Sequence, residues 1–221
     1  MMHSPQFSAL PPWLKAMRGA RSATELTVAD FFPLDFEAYC RILNPARSEF
    51  GRTMRWSEVG GSSSPVSAPT QWTDISGKAM PGQPRLDPVM GGFDSKAAAT
   101  LAPTLRRHTQ TPDDIYFLAW EGYAGLSDTY RNSELVRASY GRNMYLLEGT
   151  VDEACSPLAT GLSGAPLWWI PADGAWCVGN DIYARSVYIG GSAFCVREIL
   201  ADPELESYPV SPQQHVVSED V

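Results

Sequence analysis

Apolar and polar positions alternate with a period of two at several places, and residues 166–183 show the pattern most clearly. Two apolar runs there flank the pair Asp173-Gly174. Because Asp-Gly supplies the positive backbone angles of a tight turn, the pattern predicts two antiparallel strands joined as a hairpin. Three of the seven tryptophans lie in this stretch, namely Trp168, Trp169 and Trp176. The folding centre is therefore expected in the C-terminal half, in a core built on a sheet.

A second alternating run covers residues 36–42, where Phe36, Ala38, Cys40 and Ile42 share one parity. Period two predicts a half-buried strand. The same residues also allow a short helix, but the flanking prolines limit its length and favour the strand. Further strands are predicted at residues 114–120, 143–147, 186–189 and 208–210.

Two longer helices are predicted. Asp94 or Ser95 caps the first, which runs towards His108 and either begins near Pro103 or bends there. Ser192 caps the second, which follows a strand broken by the glycines at 190 and 191 and continues through residue 200. The strands follow one another through short turns, without regular strand–helix alternation. The sequence therefore predicts an α+β fold, a mainly antiparallel sheet with helices packed against one side in a single domain.

The domain organisation follows from composition along the chain. Residues 1–30 are predicted to form an N-terminal extension, residues 31–212 the α+β domain and residues 213–221 a polar tail. Within the domain, residues 60–93 are rich in Gly, Ser and Pro and are predicted to form a long irregular loop. Trp56 and Trp72 are expected to pin the ends of this loop to the core.

Composition narrows the classes of function. The apolar share of 44% is sufficient for a substantial core. The net charge of −8 argues against a nucleic-acid-binding protein, because phosphate recognition requires clustered Lys and Arg. The apolar runs are much shorter than the roughly 20 residues that cross a bilayer. The first residues lack the pattern of a secretory signal, so we expect a cytoplasmic protein without a membrane partner.

The cysteines and histidines do not form a metal-binding pattern. Cys40, Cys155, Cys177 and Cys195 contain no CxxC pair, and the three histidines are scattered. We interpret the cysteines as small buried thiols of a reducing compartment, and predict neither a metal nor another cofactor.

Seven blocks resemble, in their order along the chain, a family of uncharacterised actinobacterial proteins. The blocks are Phe36-Glu-Ala-Tyr-Cys-Arg-Ile-Leu-Asn-Pro45, Arg55-Trp56, Leu105-Arg-Arg-His-Thr-Gln-Thr-Pro112, Leu118-Ala-Trp-Glu-Gly-Tyr123, Leu167-Trp-Trp-Ile-Pro-Ala-Asp173, Ala175-Trp-Cys-Val178 and Gly190-Gly-Ser192. The resemblance covers roughly residues 36–210. The family has no assigned activity, so it implies no catalytic residues for this chain.

One short motif is typical of a serine nucleophile. Residues 161–166 read Gly-Leu-Ser-Gly-Ala-Pro and resemble the GxSGxP element of chymotrypsin-like proteases. In that mechanism Ser163 needs a general base, and His108 is the only histidine in the central part of the chain. The separation of about 55 residues is too short for the two packed β-barrels of that fold. A glycine-rich turn explains the motif more simply, and a hydrolase stays the alternative hypothesis.

Carboxylates near Glu121 give a second enzymatic hypothesis. Glu121 follows an apolar strand, and burial among aromatic rings would raise its pKa and suit it to acid–base work. In this hypothesis Asp173 and Asp181 face it. The competing interpretation is that Asp173 initiates the hairpin turn and that Glu121 is solvated. We favour this interpretation and predict no catalytic residue.

Aromatic residues provide the best indication of a binding surface. Trp168 and Trp169 are adjacent, so in a strand they point to opposite faces of the sheet. The outer indole is covered by the closing helix or by the 60–93 loop, or else it is exposed for recognition. The candidate binding residues are Trp120, Glu121, Tyr123, Trp168, Trp169, Asp173, Trp176 and Asp181. We predict a non-catalytic protein-interaction module, of the kind found in immunity proteins, whose partner is another protein.

Overall fold

A computed structural model of the protein describes residue 2 and residues 26–76, 86–137, 142–156 and 164–216. The helices in these ranges are α1 (Trp56–Gly60), α2 (Trp72–Ser76), α3 (Ser95–Arg107), α4 (Asp128–Arg131) and α5 (Ala193–Ala201). The strands are β1 (Ala38–Leu43), β2 (Ala46–Ser48), β3 (Thr53–Met54), β4 (Leu86–Pro88), β5 (Phe93–Asp94), β6 (Ile115–Trp120), β7 (Glu134–Arg137), β8 (Asn143–Gly149), β9 (Gly164–Ala165), β10 (Trp168–Pro171), β11 (Trp176–Gly179), β12 (Ser186–Gly191) and β13 (Ser207–Val210).

Eight of the strands form one sheet in the order β13-β1-β12-β11-β10-β6-β8-β7. Every neighbouring pair in it is antiparallel. Two small sheets, β3-β2-β4 and β5-β9, lie beside it. The predicted α+β class with a mainly antiparallel sheet is confirmed, and β10 and β11 form the predicted hairpin around Asp173-Gly174.

The two adjacent indoles point to opposite faces of the main sheet, as period two predicts. On one face, Trp169 packs against Phe93 and Phe117, with ring centroids 5.6 and 6.5 Å apart. On the other face, the Trp168 Nε1–H donates to the carbonyl of Phe31 at 3.1 Å. Both indoles are fully buried. The 3-10 turn Val28–Phe31, which the sequence placed in or next to the N-terminal extension, lies over Trp168.

The two long helices lie on the face of Trp169. The Trp176 indole on this face donates to the Leu105 carbonyl of α3 at 2.9 Å, and α5 packs on β1, β12 and β13. The opposite face carries a second, smaller apolar cluster built around Trp56 and Trp72, whose rings lie 5.3 Å apart. These two tryptophans therefore hold the short helices α1 and α2 against the second face of the sheet.

Two local predictions are corrected by the packing. The glycines at 190 and 191 continue β12 instead of breaking it, because Gly190 lets the Phe36 ring lie on the strand; a Cβ there would come within 2.4 Å of that ring. Strand β1 is buried on both faces rather than half-buried, since Arg41 lies inside among the Trp56 and Tyr188 rings. Helix α3 starts at Ser95, with Asp94 as its N-cap, and runs through Pro103.

The packed part of the domain extends beyond the predicted boundaries at both ends. Val28 and Phe31 are fully buried in the main core. The Val28 and Ala29 amides donate to carbonyls at residues 214 and 212, and Thr27 pairs with His215. Residues 26–30 and 213–216, which the sequence assigned to the extension and the tail, thus pair with each other along the domain. Within residues 60–93, the described parts hold α2 and β4 as well as irregular turns.

Candidate functional site

The described residues that gather at one end of the main sheet come from four separate segments. Trp120 ends β6, Arg142 directly precedes the neighbouring strand β8, and Tyr183 lies in the turn after β11. Tyr123 follows Trp120, and Met90 precedes the small strand β5. We call these five residues the aromatic–arginine patch. Because one strand of an antiparallel pair ends where its neighbour begins, residues distant in sequence meet at this end of the sheet.

Arg142 is the centre of the patch. Its Nε–H donates to Asp181 Oδ2 at 3.1 Å, and its Nη2–H donates to Asp181 Oδ1 at 3.4 Å. The guanidinium carbon lies 5.7 Å from the centroid of a Trp120 ring and 5.5 Å from that of Tyr183. The Arg142 side chain remains 27% exposed, whereas that of Asp181 is only 1% exposed. A bidentate pair and two rings thus hold this cation at the surface in one orientation.

The turn that carries Asp181 is fixed by its own hydrogen bonds. The Asp181 amide donates to Asn180 Oδ1 at 2.8 Å, and Asp181 Oδ1 accepts from the Tyr183 amide at 3.1 Å. The same carboxylate therefore positions the arginine and the tyrosine on either side of it. Tyr183 is 50% exposed.

Tyr123 joins the patch to the segment before β5. Its ring meets Trp120 edge to face at 5.5 Å, and its hydroxyl donates to the Gly91 carbonyl. Burial raises the pKa of Tyr123, and the Asp181 charge raises it further, so the hydroxyl stays a donor at neutral pH. Gly91 has a φ of +72°, and a Cβ there would come within 2.4 Å of the Ile182 carbonyl oxygen. This close approach places Met90, 53% exposed, next to the 181–184 turn.

The predicted carboxylate group is only partly assembled. Glu121 is exposed and accepts a hydrogen bond from the Asn143 side chain at 2.8 Å. Asp181 lies at the same end of the sheet but is paired with Arg142. Asp173 lies at the opposite end, in the β10–β11 turn, where it accepts from the Thr109 hydroxyl at 2.9 Å and from the Gln110 amide at 2.7 Å. The alternative hypothesis, in which Asp173 faces Glu121, is therefore wrong, because the hairpin carries Asp173 away from it.

The three tryptophans of the hairpin region are core residues. Trp168, Trp169 and Trp176 are each fully buried, and each indole N–H donates to a backbone carbonyl. Of the eight predicted binding residues, the structure brings Trp120, Glu121, Tyr123 and Asp181 together at one end of the sheet. The sequence prediction missed Arg142, Tyr183 and Met90. The signal available for Arg142 was its position immediately before a strand, but the strand order that brings it to Trp120 is not visible in the sequence.

His108 is engaged in an ion-pair cluster at the end of α3. Its Nε2–H donates to Glu198 Oε2 at 2.7 Å, and Arg107 also donates to Glu198. Arg107 and His108 together lower the pKa of Glu198. Burial raises the pKa of the nearby Cys195 thiol to about 12, so this group is no nucleophile at neutral pH. Ser163 lies outside the described residues, and its predicted pairing with His108 stays a prediction.

Arg106, the residue before Arg107, is shared by two carboxylates. It lies 3.4 Å from Asp113 and 3.0 Å from Asp152. Within the described ranges, no group of three or more His, Cys, Asp or Glu side chains is arranged to hold a metal ion. In the same ranges, no helix has the length and apolar character needed to cross a membrane.

Comparisons of the chain with protein-family models, with curated proteins and with solved structures found no match. The geometry of the site is therefore the basis for any functional statement. Its most organised surface feature is the aromatic–arginine patch.

Proposed function

We propose that this chain is a protein-interaction module that binds its partner through the aromatic–arginine patch. The observation that carries the proposal is the surface position of Arg142, held by the buried Asp181 and stacked by Trp120 and Tyr183. Trp, Tyr, Met and Arg are the residue types enriched at the centres of protein interfaces, and here they are contiguous. We include in this proposal an immunity-like role, in which the module binds one partner protein.

The fixed orientation of the Arg142 side chain supports a role in binding, beyond the mere exposure of these residues to solvent. A free arginine side chain loses about 2 kcal/mol of rotamer entropy when it is fixed in a complex. Arg142 has already lost part of this freedom, because Asp181 and two rings fix its orientation in the free protein. Preorganised side chains of this kind bind more tightly because less ordering remains to be done.

Two further parts of the proposal have separate support. Membership of the actinobacterial family rests on the ordered blocks of the sequence. A cytoplasmic location is supported by the four free cysteines, since unpaired thiols are typical of a reducing compartment.

The test is purification of the native chain from cells that make it, followed by measurement of the Kd for the protein that co-purifies. Tyr183→Ala and Arg142→Lys, which removes the bidentate fork but keeps the charge, are expected to weaken binding about tenfold or more. Phe50→Ala is the matched control, because Phe50 is 79% exposed in the turn after β2 and lies outside the patch. A partner that binds both patch variants as tightly as the wild type, or the absence of any co-purifying protein, would contradict the proposal.

A further inference from the structure

The two edges of the main sheet differ in how their backbone groups are covered. Strand β13 contains Pro209, which has no N–H to offer, and the chain after it is paired with residues 28 and 29. Strand β7, at the other edge, contains no proline. Edge strands without such protection accept a further strand readily.

The direction of the β8 backbone groups follows from one hydrogen bond beyond the end of β6. The Glu121 amide donates to the Asn143 carbonyl at 3.2 Å, so the backbone groups of Asn143 point towards β6. In an antiparallel ladder these groups alternate in direction from one residue to the next. Those of Met144 and Leu146 therefore point the other way, towards β7.

The same alternation assigns the groups of β7. Val136 pairs with Met144 and Glu134 with Leu146, so their amides and carbonyls bond to β8. The amides and carbonyls of Leu135 and Arg137 therefore point away from the sheet. Within the described ranges, no backbone group outside the sheet is hydrogen-bonded to them. Leu135 is 46% exposed, so within the described ranges this edge is open to a partner in both its backbone and its side chains.

The charges along β7 indicate which strand fits. Arg137 is exposed, and neither it nor Glu134 has an ion-pair partner among the described residues. One carboxylate oxygen of Glu134 is buried without any hydrogen bond. A complementary strand would carry an acidic residue beside Arg137 and a basic residue beside Glu134, with apolar residues between them.

We propose that β7 takes up an extended segment of the partner protein as an antiparallel ninth strand of the sheet. Read along the partner chain, the segment is acidic, apolar, apolar and basic, opposite Arg137, Val136, Leu135 and Glu134. Four backbone hydrogen bonds to Leu135 and Arg137 hold it. The inference rests on the proposed interaction function and names the binding mode and the chemistry of the partner.

A second copy of this chain does not supply that strand. A symmetric antiparallel pair has its two-fold axis perpendicular to the sheet, which keeps each face on its own side. Side chains directly opposite each other must lie on the same face, so residues of equal parity meet across the axis. Glu134 would then face residue 136 or 138 of the other copy and never Arg137, and the charges would stay unpaired.

The first test is amide hydrogen exchange of the free protein, followed residue by residue by NMR. Leu135 and Arg137 are expected to exchange rapidly, while Glu134 and Val136 exchange slowly because they bond to β8. Slow exchange at Leu135 and Arg137 in the free monomer, or a concentration-dependent dimer that protects them, would overturn the proposal.

The second test uses two synthetic eight-residue peptides with the same composition. One has Glu-Val-Leu-Lys between threonine pairs, and the other has the charges exchanged, Lys-Val-Leu-Glu. At about 1 mM the first peptide is expected to shift and protect the Leu135 and Arg137 amides, with the second binding at least about threefold more weakly. Equal binding of the two peptides, or no shift with either one, would reject the inference.

Variants of β7 complete the design. Leu135→Pro removes an outward N–H without touching the bonds to β8, so the chain should fold and fail to bind the first peptide. Arg137→Glu should reverse the preference at its position, so that a peptide with lysine in place of the glutamate binds better than the original. Tyr183→Ala should leave peptide binding unchanged. If the natural partner is lost with Tyr183→Ala but retained with Leu135→Pro, the edge inference fails while the proposed function stands.

Discussion

Two buried aspartates each bind one arginine, and the structure uses the two pairs differently. Asp94 and Asp181 are almost completely buried, and Arg47 and Arg142 are partly exposed. Both contacts of Arg47 go to one oxygen of Asp94, whose other oxygen accepts the Lys96 and Ala97 amides of α3. Asp94 therefore starts a helix.

Asp181 instead gives both oxygens to Arg142 and fixes the plane of its guanidinium group. The rings of Trp120 and Tyr183 lie beside this guanidinium group, with centroids 5.7 and 5.5 Å from its carbon. Burial of the carboxylate therefore does not distinguish the pair that caps a helix from the pair that we propose binds a partner. The distinction is where the second oxygen is directed and what surrounds the arginine.

The largest expected effect on stability comes from loss of the ion pair between Asp94 and Arg47. Asp94→Ala removes the N-cap of the 13-residue helix α3 and leaves Arg47 without its carboxylate. We expect a loss of about 3 kcal/mol in the free energy of unfolding, measured by urea denaturation. Asp94→Asn, which keeps a capping oxygen, should lose less. If Asp94→Ala lowers the free energy of unfolding no more than a substitution at an exposed position, the pair of Asp94 and Arg47 does not support the helix.

A smaller effect on stability, with a larger one on binding, is expected at the other pair. Asp181→Ala frees Arg142 and removes the acceptor of the Tyr183 amide, and we expect about 2 kcal/mol of destabilisation. Because the guanidinium is then no longer oriented, partner binding should fall as far as it does in Arg142→Lys. Asp94→Asn serves as the control, since its destabilisation should leave binding by the folded protein intact. Equal binding losses in the two aspartate variants would remove the distinction drawn between the pairs.

The sequence predicted the parts of the fold that depend on neighbours along the chain. Trp168 and Trp169 point to opposite faces because a strand alternates, and Asp94 caps α3 because the cap is local. The buried face that Phe31 covers was assigned to other segments, since nothing local indicates which segment packs there. The patch was not predicted for the same reason. Arg142 and Asp181 are 39 residues apart and meet through strand order alone.

A third carboxylate, that of Glu198, differs from both aspartates because it is paired at the surface and titrates. Arg107 and His108 hydrogen-bond to it and lower its pKa below the usual 4.5. A carboxyl whose pKa is lower in the folded state adds stability at pH values above its unfolded pKa. That contribution is lost as the pH falls through the folded pKa.

The wild type should therefore be more stable than Glu198→Gln at neutral pH, and the difference should shrink as the pH falls below about 4.5. The effect is expected to be the smallest of the three, because the Glu198 side chain is 33% exposed and solvent screens its ion pairs. Unfolding of both proteins in urea at a series of pH values measures it, with Glu204→Gln as the control for an exposed glutamate. A difference that grows on acidification would mean that His108 and Arg107 do not stabilise the ionised form of Glu198.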